Sequence, residues 1–290
     1  MLVKSKFSAK LLRPPEAPFL FQQKSNSQFT NYSQAVCNHP SNEIRLTVPD
    51  IKNVTDSDHA RRVREMFAGI ANRYDLLNHL LSGNTDKRWR RLVAERLHDV
   101  LSVEGARALD VACGTGDLSF ALAEKSGARI VGTDFCRPML EIAVRKSRAT
   151  NMAEIPFIEG DALKLPFADC SFEAVSIAFG LRNLSSIETG LKELWRVLKP
   201  MGRAAILEFS TPVIPGFRGL FQFYFTRVLP RIGGMISGSR GAYEYLPDSV
   251  SRFPDQKRLA AMMHEAGFDG VEYKNLTGGI AALHMGTRSR

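Results

Sequence analysis

The feature that most narrows the fold is a rhythm. Short apolar runs alternate with amphipathic stretches through the middle of the chain. Strands are expected over 106–111, 129–133, 155–158, 172–178 and 203–209, and helices over 117–125, 138–149 and 187–198. Apolar strands separated by helices need cover on both faces, which a mostly parallel sheet between two helical layers supplies. After a further helix over 255–266, stopped by Gly267, two more strands are expected over 271–275 and 280–285. The Thr277-Gly278-Gly279 break between them reads as a hairpin closing the sheet edge. The expectation is therefore a doubly wound α/β fold with a mostly parallel seven-stranded sheet and a C-terminal antiparallel hairpin. Two helices precede the sheet. The first starts near Asp58 and repeats Val63, Met66, Phe67, Ile70, Tyr74 and Leu77 at helical spacing, and the second spans 86–101.

The first 57 residues have a different texture. Between residues 1 and 42, Lys4, Lys6, Lys10, Arg13 and Lys24 face only one acid, Glu16, among serines, glutamines and prolines. No apolar period survives there, so residues 1–57 are expected to be a disordered arm and residues 58–290 the folded domain. An acid-poor, serine-containing arm also has the make-up of an organelle transit peptide, and an unstructured extension is the plainer alternative. The net charge of +9, from 39 basic and 30 acidic residues, is spread along the chain rather than gathered in a stripe, which argues against a nucleic-acid partner. No apolar run is long enough for a membrane-spanning helix.

In a doubly wound sheet, ligands bind beyond the carboxyl ends of the strands. The first strand runs into Asp110-Val-Ala-Cys-Gly114-Thr115-Gly116-Asp117. Gly114 and Gly116 allow a sharp bend and close backbone approach at the start of a helix, where amide groups are unpaired. Asp134 stands at the end of the second strand, placed to accept both hydroxyls of a ribose. The third strand leads to Asp161 and Ala162, suited to an adenine amino group and to the room its ring needs. The ligand is expected to contain a nucleoside. A dinucleotide would want a third glycine where Ser119 stands, and Asp110 and Asp117 beside a diphosphate would each cost about 1 kcal/mol or more. Near a cationic donor the same charges attract, which favours S-adenosylmethionine.

The resemblance carried by these residues is specific. The segments 109–117, 132–140 and 160–167 resemble a class I methyltransferase. Ala178-Phe-Gly-Leu-Arg-Asn183, Leu207-Glu-Phe-Ser210, 66–78 and Tyr243-Glu-Tyr-Leu-Pro-Asp-Ser249 narrow the likeness to the ubiquinone/menaquinone biosynthesis C-methyltransferase family, from about residue 60 to 286. Met201 stands where that family usually has glycine, Glu173 where aspartate is common, and Ser186 where aspartate is frequent. The resemblance implies methyl transfer from S-adenosylmethionine to a ring carbon of a polyprenylated quinol, demethylmenaquinol first, with a methoxy-benzoquinol or a phytyl naphthoquinol as alternatives. A methyltransferase acting on RNA, or a non-catalytic nucleoside-binding module, is the reading from another class.

On that reading the cofactor residues are Asp110, Gly114, Thr115, Gly116, Asp134, Asp161 and Ala162. Arg182 and Asn183, following the fourth strand, are the catalytic candidates, placed to hydrogen-bond a developing phenolate. A structural ion pair is the alternative for Arg182. Tyr74, Asp75, Tyr243 and Tyr245 are weaker wall candidates. Cys113 and Cys136 are expected to be small packing residues, since a thiolate beside Asp134 is disfavoured. The six histidines show no paired ligand spacing, so no metal is expected. Residues 213–236 carry five aromatics between 217 and 225 together with Arg218, Arg227 and Arg231. They suit a greasy lid or contact with an anionic membrane surface. The expected place is the cytoplasm, peripheral to the inner membrane face, or a mitochondrion or chloroplast if residues 1–42 act as a transit peptide; a homodimer fits equally.

Overall fold

The computed structural model describes residues 58–214 and 240–289, with positions 219, 223 and 227. The arm expected over 1–57 and most of the aromatic segment 213–236 lie outside the described residues.

Helices α1 (Asp58–Leu81) and α2 (Thr85–Leu101) lead into β1 (Arg107–Val111), α3 (Asp117–Lys125), β2 (Arg129–Asp134), α4 (Arg137–Ala149), β3 (Phe157–Glu159) and β4 (Phe172–Ala178). A short 3-10 turn at Leu181–Asn183 precedes α5 (Ile187–Val197) and β5 (Leu198–Phe209). Then come α6 (Arg240–Arg252), α7 (Gln256–Glu265), β6 (Phe268–Leu276) and β7 (Ala281–Arg288).

The sheet order is β3-β2-β1-β4-β5-β7-β6, the first five strands parallel and β7 antiparallel to both β5 and β6. The expected seven-stranded sheet and its terminal hairpin are therefore present. The order reverses between β1 and β4, and a crevice opens there at the strand ends.

Alternation along the strands builds a core on each side. Leu109, Val131, Val175 and Ile206 face one layer, with Leu191, Leu194 and Leu259 packed on them. Ala108, Ile130, Ala174 and Ala205 face the other, beneath Trp89, Val93, Leu97, Leu118 and Leu122. Small residues on the second face let α2 and α3 approach closely. Capping is local: the Ser186 side chain accepts from Thr189 N at the start of α5, and Asp255 from Arg258 N at the start of α7.

β5, the two hairpin strands and α6 depart from expectation. β5 begins five residues early, because Phe172 pairs with Leu198 and Ala174 with Arg203, so the intervening Lys-Pro-Met-Gly loops out as a bulge. Met201 takes a left-handed φ of 66° there, a place glycine fills more easily. The hairpin strands run longer than their apolar cores, and Thr277–Gly279 closes as a 3-10 turn. Tyr243-Glu-Tyr-Leu-Pro-Asp-Ser249 lies on α6, where Pro247 hides the helix from pattern reading.

Candidate active site

At the switch point lies a cavity of about 710 Å³, the size range that encloses a small organic ligand. Gly114, Asp134, Phe135, Met139, Glu159, Asp161, Ala162 and Lys164 line one part. Ala112, Ala178, Phe179, Gly180, Asn183 and Leu184 come from the ends of β1 and β4. Ala60, Arg64, Phe67 and Tyr74 come from α1, at helical spacing along one face. Of the sequence candidates, Gly114, Asp134, Asp161, Ala162, Asn183 and Tyr74 meet at this cavity.

The bend after β1 depends on left-handed backbone: φ is 56° at Gly114 and 87° at Gly116, which caps α3. A side chain at Gly114 would come 3.9 Å from the Tyr74 ring, so the tyrosine lies close over the loop. Asp134 closes the bend from the next strand. Its two oxygens accept Gly114 N and Cys136 N, each at 2.8 Å. Each oxygen keeps acceptor capacity for a ribose hydroxyl. Burial pushes its pKa up to about 6, against those backbone hydrogen bonds. Asp161 Oδ1 accepts Leu163 N at 2.8 Å, which fixes its loop at the cavity edge.

Asp110, Thr115, Gly116 and Arg182 are not among the cavity-lining residues. Asp110 is buried and accepts the Ser119 and Ser176 hydroxyls at 2.6 and 2.9 Å; desolvation raises its pKa to about 6. It holds the loop from below. The Thr115 hydroxyl donates to Asp75 Oδ1 at 2.5 Å, and Lys146 Nζ donates to Asp75 Oδ2 at 2.8 Å, which ties α1 to the loop and to α4. Lys146 also pairs with Asp117. Asp110 and Asp117, expected to attract the cationic donor, are thus satisfied internally. Asp134, Glu159 and Asp161 are the acids that line the cavity.

Arg182 corrects the expectation more sharply. Its guanidinium forms a buried ion pair with Glu208 at 2.7 Å and also donates to Phe179 O at 2.5 Å. It lies over the Phe209 ring, which packs against the cavity-lining Phe179 at 4.7 Å between centroids. The charge therefore stands one layer behind the wall. Phe179 itself adopts a left-handed φ of 58°, which turns the chain at the end of β4 and directs its carbonyl to Arg182 and Asn183.

Burial raises the thiol pKa of both Cys113 and Cys136, the latter to about 11, in keeping with the packing role expected. His79, Asp86 and Asp117 bring three ligand-type groups together, a cluster the histidine spacing does not announce. Arg90 pairs with Asp86, and Lys146 with Asp117, so these carboxylates already have cationic partners. Sequence reading missed Arg64 and Phe67, whose spacing with Ala60 and Tyr74 was an available signal, and Phe135, which directly follows Asp134.

The sequence matches the ubiE/COQ5 methyltransferase family over residues 54–288. The chain belongs to that family. It is 52% identical over 226 residues to a demethylmenaquinone methyltransferase of Thermus thermophilus, covering 77% of this chain and all of that protein. It is 48% identical to a demethylmenaquinone methyltransferase of Deinococcus radiodurans, covering 80% and 94%. It is 44% identical to the ubiquinone/menaquinone biosynthesis C-methyltransferase UbiE of Geotalea uraniireducens, covering 80% and 98%. Among solved structures, the [4+2]-cyclase SpnF shares the fold at a TM-score of 0.60 with 18% identity, covering 79% of this chain and 96% of that one. A fold that also hosts a cyclase does not by itself assign chemistry. The cofactor of this ubiE/COQ5 family methyltransferase is S-adenosylmethionine. The cavity fits it: Gly114 permits close backbone approach, Asp134 retains acceptor capacity on both oxygens, and Asp161 and Ala162 lie on the same lining.

Proposed function

We propose that the protein methylates a ring carbon of demethylmenaquinol, the last ring methylation of menaquinone. The observation that carries this reading is the joining, in one cavity, of the nucleoside-binding residues Gly114, Asp134 and Asp161 to the Phe179–Asn183 wall, in a chain 52% and 48% identical to two demethylmenaquinone methyltransferases. S-adenosylmethionine, when bound, supplies an electrophilic methyl group on a sulfonium.

The remaining work falls to the chain. Asp134 and the Gly114 backbone hold the donor, and α1 covers it with Phe67 and Tyr74. A quinone ring is too electron-poor to attack a methyl group, whereas a quinol that gives its hydroxyl proton to water pushes charge onto the neighbouring carbon. That carbon bonds the methyl as the methyl–sulfur bond breaks, and then releases its own hydrogen as a proton to water to restore the aromatic ring. The acceptor must therefore be reduced. Asn183 Nδ2 offers one N–H to the developing phenolate oxygen, since among the described residues only its other proton is used, on Phe179 O. Arg182, paired with Glu208, serves the same oxygen indirectly, by fixing the turn that carries Asn183. Phe67, Phe135, Met139 and Phe179 give part of the lining an apolar surface, which lowers the solvation of the two reacting charges before they neutralise each other.

Supplying the enzyme with labelled donor and short-chain acceptors tests the reading. Reduced demethylnaphthoquinol should be methylated and its oxidised form should not. Preference for a methoxy-benzoquinol would move the assignment to ubiquinone, and labelling of RNA alone would remove it. Arg182→Ala and Arg182→Lys should both lose turnover while S-adenosylhomocysteine binding persists; normal rates in both would remove Arg182 from the mechanism.

A membrane-borne quinol also calls for contact with the bilayer surface, and the aromatic, arginine-bearing segment 213–236 is the part suited to it. Among the described residues no helix is long and apolar enough to cross a membrane. The contact we propose is peripheral, at the cytoplasmic face of the inner membrane, or inside a mitochondrion or chloroplast where residues 1–42 act as a transit peptide. Flotation with anionic vesicles should carry the enzyme upward, and failure with and without quinol would count against contact. The assembly is read as a homodimer, which sedimentation would check.

A further inference from the structure

Asn183, on the cavity wall, is met from α1, from the end of β4 and from α6. His59 Nε2 at the start of α1 lies 3.2 Å from its backbone carbonyl. Its side-chain Nδ2 donates to Phe179 O at 3.3 Å, and Tyr245 on α6 donates its hydroxyl to Oδ1 at 3.2 Å. The partners stand 124, 4 and 62 residues away in sequence.

The chemistry of these partners fixes which way the amide points. A carbonyl only accepts, so the end of the amide facing Phe179 O must be the NH₂ group. The other end is then the oxygen, and Tyr245 must be the donor to it. Tyr245 therefore satisfies the acceptor of Asn183, and the one proton left on Nδ2 remains for a substrate. A flipped amide would set its oxygen against the Phe179 carbonyl, two acceptors face to face, while the Tyr245 hydroxyl could accept from the NH₂ group. The Phe179 carbonyl therefore sets the direction of the amide, and Tyr245 holds its oxygen end in place.

We propose that Tyr245 is a positioning residue for methyl transfer: its hydroxyl anchors the oxygen end of the Asn183 amide, whose direction the Phe179 carbonyl sets, so that Nδ2 presents its second N–H to the quinol oxygen. This rests on the proposed role of Asn183. The role selects an oxygen acceptor carrying negative charge, which is what the quinol becomes as the methyl group is transferred. The charged groups felt by Tyr245 are Arg182, Arg252, Asp248 and Glu208, with His59 on the carbonyl side of Asn183. Burial raises the Tyr245 phenol above its ordinary pKa, so the donor keeps its proton at neutral pH.

The test compares wild type with Tyr245→Phe, Asn183→Ala and Asn183→Asp on reduced short-chain demethylmenaquinol. Tyr245→Phe should lower kcat about tenfold, the worth of one hydrogen bond. KM for the quinol and affinity for S-adenosylhomocysteine should stay within about twofold, since the lost contact matters only as charge develops. The acidic limb of the kcat profile should move to higher pH, because the bound quinol has lost part of what stabilises its anion. Asn183→Asp, which offers acceptors only, should lose more. Wild-type kcat and pH profile in Tyr245→Phe, with a slow Asn183→Ala, would overturn the inference and leave the proposed function standing. Full activity of Asn183→Ala would instead overturn the role of Asn183 on which it rests. A slower Tyr245→Phe with lowered Tm and an unmoved limb would make the tyrosine a structural support and likewise overturn the inference. If Tyr245→Phe does not fold, a ring-fluorinated tyrosine at 245, which ionises within the assay range, keeps the shape. Its kcat should fall as that phenol loses its proton, and a flat response would refute the anchoring role.

Discussion

Glu208 grips Arg182 twice: one oxygen accepts the guanidinium at 2.7 Å, and the other accepts the Arg182 backbone amide at 3.3 Å. Glu208 is about 1% exposed and the arginine side chain 6%. The same carboxylate also accepts Phe209 N at 2.8 Å. Burial raises the Glu208 pKa and Arg182 opposes the rise. The pair thus fixes both the side chain and the turn that leads to Asn183.

Removing half of such a pair leaves a buried charge alone. Glu208→Ala should destabilise the protein by about 3–5 kcal/mol in urea denaturation. Replacing both partners with methionine should recover most of that, because no buried charge is left. The recovered double variant should fold and bind S-adenosylhomocysteine but transfer methyl slowly. A single variant as stable as wild type would show that Arg182 finds another counter-charge.

The strand–helix rhythm and the Gly114–Asp134 spacing carried the doubly wound, mostly parallel sheet with its terminal hairpin and pointed to four residues that line the cavity, Gly114, Asp134, Asp161 and Ala162, because these are local patterns of period and turn chemistry. The role of Arg182 was not legible in the same way. Its partner Glu208 lies 26 residues away on the neighbouring strand, and nothing in either residue says which of its faces meets the cavity. Asp110 and Asp117 misled for the same reason, since only tertiary contacts show that Ser119, Ser176 and Lys146 consume their charge. α6 stayed hidden behind Pro247. The cover formed by α1 was readable as an amphipathic helix, but not as one whose second face lines a ligand site.

The link from Asp75 to Thr115 and Lys146 joins that cover to the glycine loop. Asp75→Ala should release it. Because Asp75 and Lys146 are each nearly one-third exposed, the stability change should stay below about 1 kcal/mol. Dissociation of S-adenosylhomocysteine, followed by stopped flow, should quicken several-fold, with association little changed. An unaltered off-rate would mean that α1 does not have to move for exchange.

At Gly180 the turn after β4 presses on the loop after β1. A side chain there would place its Cβ 2.5 Å from the Ala112 Cβ and 3.2 Å from Ile177. The backbone at Ala112 already has a φ of 50°, so it has little freedom to retreat. Gly180→Ala should cost about 1–3 kcal/mol through overpacking and weaken donor binding as the loop shifts. Calorimetry with S-adenosylhomocysteine on the folded variant would check it, and unchanged affinity together with unchanged Tm would show that the two turns separate freely.

Asp134 ties stability and cofactor binding to pH with opposite signs. Its pKa in the folded protein is raised from 3.8 to about 6 by burial. A group raised in this way adds stability that is fully present below pH 3.8 and is lost as pH rises through about 6, because the folded state then holds a buried charge. The stability of the apo-protein relative to Asp134→Asn should therefore increase as pH is lowered from 7 to about 5. His284 contributes equally to both proteins and cancels in that comparison, whereas Asp110, whose pKa the Asp134 charge helps to raise, titrates lower in Asp134→Asn and adds to the difference with the same sign. Cofactor binding should go the other way. The ribose hydroxyls need the ionised carboxylate as acceptor, so affinity for S-adenosylhomocysteine should weaken by up to about tenfold between pH 7 and 5. Asp134→Asn should bind weakly throughout, without that step. If wild type bound equally well at both pH values, the carboxylate would not be meeting the ribose, and the donor would have to lie elsewhere along the cavity.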